Sequence, residues 1–247
     1  AIPLCSIMRP RIVLFGDSIT EKSFNLGGWG AALADTYTRK ADVILRGYSG
    51  YNTRWAMFTL QRIFPLDSAD HPVACTIFFG ANDAALPGRN NARQHVPVEE
   101  YKENLKKIIF HLKKCSSNMF IVLITPPPVD EEGRMEFAKL MYGEKAMSEA
   151  ERTNETAGIY AKQCVDVAKE LGVVAIDIWS KMQETDGWQK SFLCDGLHLT
   201  AEGNSVVHEN ILKVFNEAGL SSSEMPTDFP HHSAIDACHP EKAFSCF

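Results

Sequence analysis

The sequence predicts an α/β fold, a three-layer α/β/α sandwich built on a flavodoxin-like parallel sheet of five strands. Short apolar runs alternate with longer segments whose apolar residues recur every three or four positions. The short runs are almost continuously apolar, as expected for strands covered by helices on both faces. Glycine and small polar residues follow the first three runs. The alternation of strands and helices predicts parallel strands joined by right-handed crossovers, and we expect the strand order 2-1-3-4-5.

Five segments are predicted as strands because they are rich in Val, Ile or Phe and short. They are residues 11–15, 42–46, 73–79, 119–125 and 173–177.

Three helices are predicted from clear apolar stripes at helical spacing, over residues 101–112, 160–171 and 206–215. Gly172 is expected to end the second of them as a C-cap. Thr200 is a suitable N-cap ahead of the third.

Weaker patterns predict helices over residues 29–40 and 53–64. The S-x-x-E pattern from Ser148 to Glu151 indicates a further helix start, because these residues can form a capping box.

One domain is expected over residues 11–219. Residues 1–10 are interpreted as a leader or a remnant of expression, with Met8 as a candidate native start. After Gly219 the chain loses its periodicity and contains several helix breakers, so residues 220–247 are predicted to be a C-terminal tail.

The composition argues against two classes of partner. The net charge is -6 and no dense basic cluster exists, which argues against nucleic acid and anionic membrane surfaces. No apolar run approaches the length of a membrane span. Oligomeric state is left open.

The seven cysteines are scattered and form no C-x-x-C pair, so neither a disulfide framework nor a zinc ribbon is expected. Cys75, Cys115 and Cys164 fall in apolar patterns and are predicted to be small buried residues. A reducing, cytoplasmic location is the expectation.

The chemistry of the chain is expected at the carboxyl ends of the first three strands. The stretch LFGDSIT places Ser18 directly after the first strand, a glycine-rich loop ending at Gly50 follows the second, and Asn82 follows the third. In the predicted strand order these loops are neighbours. A serine nucleophile beside backbone N–H groups and an amide is what acyl transfer requires.

A serine needs a neighbouring base, and His198 is the best of eight histidines. It follows Asp195 by three positions, a spacing that lets the carboxylate hold one imidazole nitrogen while the other faces the serine. Each signal has a simpler alternative, since Gly-Asp-Ser and Asp-Gly are common turns and Asn82 could cap a helix.

Four blocks in this order resemble the SGNH hydrolases, the GDSL esterase/lipase superfamily. The blocks are residues 15–18, 46–50, 80–83 and 195–198, and the resemblance extends from about residue 11 to residue 215. Residues 27–30, 51–55 and 124–127 are similar to the branch of isoamyl acetate-hydrolysing esterases, which includes plant members. A glycine often found after the first block is replaced by residues 21–24, which affects the expected shape of the mouth.

The resemblance implies Ser18 as nucleophile, His198 as base and Asp195 as the residue that orients it. It implies an oxyanion hole from the N–H groups of Ser18 and Gly50 and the Asn82 amide. No metal or organic cofactor is implied. Asp17 and Asp83 are expected to be structural. Ser49 lies in a segment close to the G-x-S-x-G elbow, but its second glycine is one position early, so we expect a loop residue there.

The expected function is hydrolysis of carboxylic esters with a small, acetyl-type acyl group through an acyl-enzyme. Aromatic side chains are candidates for an apolar substrate pocket, although each could equally pack in the core. These are Phe24, Trp29, Trp55 and Phe79, with Phe58 and Trp188 as further candidates.

Two other functions stay open at this stage. One is removal of acetyl groups from a carbohydrate or polysaccharide, and the other is a non-catalytic binding protein that keeps the fold. A metallohydrolase is disfavoured because His198 and Asp195 have no third ligand at a recognisable spacing.

Overall fold

A computed structural model describes residues 9–245, so most of the predicted leader, including Met8, lies outside the described residues, as do residues 246–247. Five parallel strands form one sheet in the order β2-β1-β3-β4-β5, which confirms the predicted topology. They are β1 (Arg11–Gly16), β2 (Asp42–Gly47), β3 (Ala74–Phe78), β4 (Phe120–Ile124) and β5 (Val174–Ile176).

Helices connect and cover the strands. They are α1 (Ser18–Glu21), α2 (Trp29–Thr36), α3 (Thr53–Ala56), α4 (Leu60–Ile63), α5 (Val98–Cys115), α6 (Glu131–Tyr142), α7 (Asn154–Leu171), α8 (Ile178–Gln183), α9 (Trp188–Phe192) and α10 (Ala201–Glu217). Short 3-10 turns cover Lys22–Phe24, Ala92–Gln94, Gly143–Lys145, His232–Ala234 and Pro240–Phe244.

The sheet separates two apolar layers, because successive side chains of a strand point to opposite faces. Val13 and Phe15 of β1 pack with α3, α4, α5 and α7, while Ile12 and Leu14 pack with α1, α2, α8 and α10. This is the predicted three-layer arrangement, and it holds the loops at the strand ends on a rigid frame.

Two helices are shorter than predicted, and a threonine hydroxyl bonds to a backbone carbonyl where each of them is interrupted. The helix α2 ends at Thr36, whose hydroxyl donates to the Ala32 carbonyl at 2.9 Å, and Arg39 has a φ of +65° that no α-helix accommodates. The predicted helix over residues 53–64 divides into α3 and α4, and between them the Thr59 hydroxyl donates to the Ala56 carbonyl at 2.7 Å.

The predicted caps are found at two positions and misplaced at a third. Gly172 ends α7 with a φ of +62°, and the Thr200 hydroxyl accepts from Gly203 N at the start of α10. The helix α7 begins at Asn154 with Thr153 as its cap, so the start indicated at Ser148 is wrong. The S-x-x-E residues instead precede the helix in an irregular segment.

The C-terminal segment contacts the end of the sheet where the strands begin. Asp228 accepts hydrogen bonds from Arg9 and Arg39, and the Lys40 ammonium donates to the Ser222 carbonyl. Asp42, the first residue of β2, also pairs with Arg9 at 3.1 Å. Residues 220–230 are therefore held at the opposite end of the sheet from Ser18.

Candidate active site

Ser18 is presented by a tight turn between β1 and α1. Gly16 pairs with Gly47 of β2 and Phe78 of β3, so the three loops that follow these strands begin side by side. A side chain at Gly16 would lie 2.5 Å from the Phe78 carbonyl oxygen, which explains why glycine is needed there. Asp17 caps α1 by accepting from Ile19 N at 2.9 Å, and Ser18 is the first residue of that helix.

The structure brings Ser18, His198 and Asp195 together. Ser18 Oγ lies 2.9 Å from His198 Nε2, and His198 Nδ1 lies 2.6 Å from Asp195 Oδ2. The other carboxylate oxygen of Asp195 accepts from the backbone N–H groups of Leu197 and His198, at 3.0 and 2.7 Å. The carboxylate thus sets both the backbone and the ring of His198.

A closed loop holds Asp195 and His198 against α6. Cys194 N donates to the His198 carbonyl at 2.8 Å, and Leu193 pairs with Leu199. Gly196 has a φ of +78°, and its carbonyl accepts from Asp130 N at 3.0 Å. The near-helical turn expected from the spacing is therefore a closed bend, with the same effect on the two side chains.

The electrostatics favour an ionised Asp195. Burial alone raises the pKa of this carboxyl, but the hydrogen bond from His198 and the nearby Arg134 guanidinium hold the pKa well below its ordinary value. Since the carboxylate accepts a hydrogen bond from Nδ1–H, the lone pair of a neutral His198 is placed on Nε2, which faces Ser18.

The predicted oxyanion donors converge beside Ser18. Asn82 Nδ2 donates one hydrogen to the Tyr51 carbonyl at 2.8 Å and keeps a second hydrogen free for a ligand. Gly50 has a φ of +78°. Within residues 9–245 the backbone N–H groups of Ser18 and Gly50 donate to no other protein group.

Asp17 and Asp83 are buried carboxyls that support the loops. Burial raises the pKa of each to about 7. The Asp83 carboxylate accepts from the backbone N–H and the hydroxyl of Thr53, which ties the loop after β3 to the start of α3. Neither side chain contacts His198, so the structural roles expected for them fit their positions.

A buried ionic cluster beside the site was not predicted. Arg134 contacts Asp195 Oδ2 at 3.3 Å and pairs with Glu151, and Glu151 accepts from Arg152 at 2.6 Å. Arg152 in turn donates to Asn82 Oδ1 at 3.0 Å. Charged residues are ordinarily expected on the surface, so the sequence gives little indication of this cluster. The one signal for burial is that Arg134 lies on the same face of α6 as the buried Ala138.

Two cavities of about 230 Å³ each meet at His198 and Lys22. The first, which we call the polar cavity, contains the predicted nucleophile and oxyanion donors and two arginines of the charged cluster. It is lined by Ser18, Lys22, Ser49, Gly50, Asn82, Asn91, Gln94, Arg134, Arg152, Leu197 and His198. The second cavity is lined by Ile19, Lys22, Asn25, Leu26, Gly28, Cys194, His198, Leu199, Ala201 and Asn204.

The aromatic residues predicted to form a pocket line neither cavity. Trp29 and Phe79 are fully buried in the two core layers, where the simpler alternative of core packing accounts for them. The Trp29 ring instead supports α1 by donating from Nε1 to the Ile19 carbonyl at 3.3 Å. Trp55 packs on the Tyr51 ring, and Phe24 is 40% exposed.

The two further aromatic candidates and Ser49 also make no contact within the Ser18, His198 and Asp195 group. Phe58 is largely exposed and Trp188 opens the short helix α9. The Ser49 hydroxyl donates to Glu21 Oε1 at 2.7 Å and Ser49 N donates to Glu21 Oε2 at 2.7 Å, so this serine is a loop residue that ties two site loops together.

The described part of the chain has neither a cluster of metal-binding side chains nor a helix that could span a membrane. Residues 9–245 contain no group of three or more His, Cys, Asp or Glu side chains that could hold a metal ion. Cys75, Cys115 and Cys164 are buried, as predicted. None of the described helices combines the length and the apolar character that crossing a membrane requires.

Comparison with known families matches residues 12–211 to the GDSL-like lipase/acylhydrolase family. The chain is 67% identical over 237 residues to the GDSL esterase/lipase At5g62930 of Arabidopsis thaliana, covering 96% of this chain and 98% of that protein. It is 43% identical to an isoamyl acetate-hydrolyzing esterase 1 homolog of Bos taurus, covering 94% of this chain and 90% of that one.

Solved structures share the fold. A lipase/acylhydrolase from Enterococcus faecalis has a TM-score of 0.66 and 26% identity, covering 85% of this chain and 97% of that chain. An acetyl xylan esterase, AlAXEase, has a TM-score of 0.64 and 17% identity, covering 83% of this chain and 98% of that chain.

Proposed function

The chain belongs to the GDSL-like lipase/acylhydrolase family and is a serine esterase that acts on ester bonds, and we propose that it hydrolyses small esters through a Ser18-His198-Asp195 triad. The observation that carries the proposal is the 2.9 Å contact between Ser18 Oγ and His198 Nε2. A serine hydroxyl becomes an effective nucleophile when such a base accepts its proton.

The reaction uses the described groups in two steps. Ser18 Oγ attacks the ester carbonyl while His198 Nε2 accepts its proton, and the carbonyl oxygen takes the electron pair as an oxyanion. The N–H groups of Ser18 and Gly50 and Asn82 Nδ2 stabilise that oxyanion. His198 then donates the proton to the leaving alcohol. Water activated by His198 attacks the acyl-enzyme and releases the acid.

The two cavities suggest how an ester lies across the site. The carbonyl oxygen must face the oxyanion donors in the polar cavity, while the leaving oxygen must face His198, which protonates it. We therefore assign the small acyl group to the polar cavity and the alcohol part to the second cavity, which we call the alcohol cavity. Leu26, Leu199 and Ala201 offer the alcohol an apolar surface there.

The acyl group is proposed to be acetyl-sized. Apart from Leu197, the side chains that line the polar cavity are polar or charged, so a long acyl chain would gain little from burial in it. The isoamyl acetate-hydrolyzing esterase homologs, at 43% identity, fit a small acyl group joined to a small branched alcohol.

Rates on two ester series test this assignment. Along p-nitrophenyl acetate, butyrate, octanoate and palmitate, kcat/KM is expected to fall. Filling the alcohol cavity with Ala201→Phe is expected to lower kcat/KM for isoamyl acetate more than for ethyl acetate. A steady rise with acyl length, or an Ala201→Phe effect that is equal for both alcohols, contradicts the assignment.

A carbohydrate acetylesterase is the second candidate that the same assay separates. Its support is a shared fold, because acetyl xylan esterases resemble this chain at 17% identity. Release of acetate from acetyl-xylan without hydrolysis of alkyl acetates would favour it over the alkyl ester. Full activity in Ser18→Ala on every ester would instead reject both candidates.

A further inference from the structure

Arg152 is a buried cation for which the reaction above has no role. Its side chain is 3% exposed, and its guanidinium makes four hydrogen bonds. Nε donates to the Ala81 carbonyl at 2.7 Å, Nη1 to Glu151 Oε1 at 2.6 Å, and Nη2 to both Asn82 Oδ1 at 3.0 Å and Gln94 Oε1 at 2.7 Å. A residue held by so many partners has a nearly fixed position.

The bond to Asn82 decides which end of that amide faces the oxyanion. The two ends of a carboxamide have nearly the same shape, but arginine only donates hydrogen bonds. Arg152 Nη2 therefore selects the oxygen of Asn82, and the nitrogen is directed to the Tyr51 carbonyl and the reacting centre. The positive charge also polarises the amide and strengthens its N–H as a donor.

The bond to Gln94 extends the same control to Gly50. Gln94 Nε2 donates to the Gly50 carbonyl at 3.2 Å, and the backbone carbonyl of Gln94 accepts from Asn52 Nδ2 at 2.8 Å. With Oε1 held by Arg152, the Gln94 amide also has a defined orientation. One guanidinium thus contacts the groups that place two of the three oxyanion donors.

We propose that Arg152 is the positioning residue of the oxyanion hole, acting on Asn82 directly and on Gly50 through Gln94. The inference rests on the proposed function, because it requires these groups to stabilise an oxyanion. Arginine suits the role better than lysine, since its planar fork can bind several acceptors in fixed directions.

Arg152 is poorly suited to a role that only stabilises the fold. Burial lowers the pKa of Arg152, and the Glu151 carboxylate opposes that effect. Burying such a pair costs desolvation energy, and apolar residues of similar volume often stabilise a fold as well or better. Loss of Arg152 leaves Glu151 bonded to Arg134 and Asn91, so the cluster retains a counter-charge.

A double-mutant cycle between Arg152→Met and Asn82→Ala tests the inference, with kcat and KM measured on p-nitrophenyl acetate. Alone, Arg152→Met is expected to lower kcat by about 10²-fold, the scale of an ångström-sized misplacement. KM is expected to change little, because the lost interactions act in the transition state. In the Asn82→Ala background the same change is expected to cost less than about tenfold, because its main target is gone.

The outcomes separate this inference from the proposed function. Equal losses from Arg152→Met in both backgrounds overturn the inference, as does a change in KM alone. If Asn82→Ala itself leaves kcat unchanged, the proposed oxyanion hole fails instead. Arg54→Met is the control, because Arg54 is a half-exposed arginine paired with Glu100. The kcat of this variant is expected to equal that of the parent protein.

Arg152→Lys covers the case in which Arg152→Met does not fold. The ammonium keeps a charge opposite Glu151 but cannot bind Asn82, Gln94 and Ala81 together. We expect a reduced kcat that is again coupled to Asn82→Ala. A kcat in Arg152→Lys equal to that of the parent protein would show that the planar guanidinium is unnecessary and would overturn the inference.

Discussion

In the proposed mechanism, Asp195 acts by fixing the orientation of the His198 ring. Replacement by asparagine would present an N–H to His198 Nδ1, which favours the tautomer with its proton on Nε2 and removes the base from Ser18. We predict that Asp195→Asn lowers kcat by about 10⁴-fold. Asp166→Asn is the control, because Asp166 is an exposed carboxylate paired with Lys162. Equal kcat in both variants would contradict the role of Asp195.

Asp17 is predicted to make stability depend on pH. Burial raises its pKa to about 7, above the ordinary value of 3.8, so the folded protein holds a proton that the unfolded chain releases between these pH values. The free energy of unfolding should therefore fall as pH rises through this window, by roughly 1.4 kcal/mol per unit of pKa separation.

Urea unfolding at pH 4, 5, 6, 7 and 8 measures the effect. Asp17→Asn removes the titration, so the variant should gain stability relative to the parent protein as pH rises from about 4 to about 7. A difference between the two proteins that does not change with pH, or that changes in the opposite direction, would contradict this.

Single residues differ in how far the sequence predicts them. Ser18 and Asn82 follow strand ends, so the topology brings them to one edge of the sheet, whereas His198 is recognised from its spacing to Asp195. Arg152 has no such signal, because a charged residue in an irregular segment is ordinarily exposed. Its burial depends on four acceptors from three segments, which are residues 81–82, Gln94 and the neighbouring Glu151.

At the scale of elements, the loop from Leu193 to Leu199 depends on one glycine. Gly196 has a φ of +78°, and a side chain there would lie 2.4 Å from the Asp130 carbonyl oxygen. We predict that Gly196→Ala lowers the free energy of unfolding by more than the roughly 1–2 kcal/mol of backbone strain alone. It should also lower kcat by about tenfold or more, because Asp195 and His198 shift.

Gly187→Ala is the matched control for that prediction. Gly187 has nearly the same φ, +74°, but a side chain there meets no atom within 4 Å. Gly187→Ala should lower the free energy of unfolding through backbone strain but leave kcat unchanged. Similar losses of stability and of kcat in the two variants would mean that the contact with Asp130 is unimportant.

Elements were predictable where apolar periodicity was long and unpredictable where side chains compete with the backbone. The stripes in α5, α7 and α10 lie in the core as expected. At the break between α3 and α4 the Thr59 hydroxyl bonds to the Ala56 carbonyl, and composition does not show which partner a threonine selects.

At the scale of the whole molecule, the catalytic loops and the C-terminal segment occupy opposite ends of the sheet. Arg9, through its hydrogen bonds, lowers the pKa of Asp228. We predict that Asp228→Asn lowers Tm but leaves kcat/KM unchanged. The difference in Tm should shrink as the pH falls and the carboxyl of the parent protein is protonated. A parallel fall in kcat/KM would contradict the separation of the two ends.

The strand order was predictable as a whole because parallel sheets with right-handed crossovers allow few arrangements. The contacts of residues 220–230 were not, since that segment has no periodic pattern and its position depends on ion pairs with Arg9 and Arg39. Long-range ion pairs of this kind leave no mark on local sequence.

The most direct test of the triad is to trap the acyl group that Ser18 should carry. The protein is mixed with p-nitrophenyl acetate, quenched in acid within the first turnover, and digested for mass spectrometry. We predict one added acetyl group on the peptide that contains Ser18, its absence in Ser18→Ala, and much slower formation in His198→Ala. An acetyl group on another residue, or equal acetylation in Ser18→Ala, would contradict the mechanism.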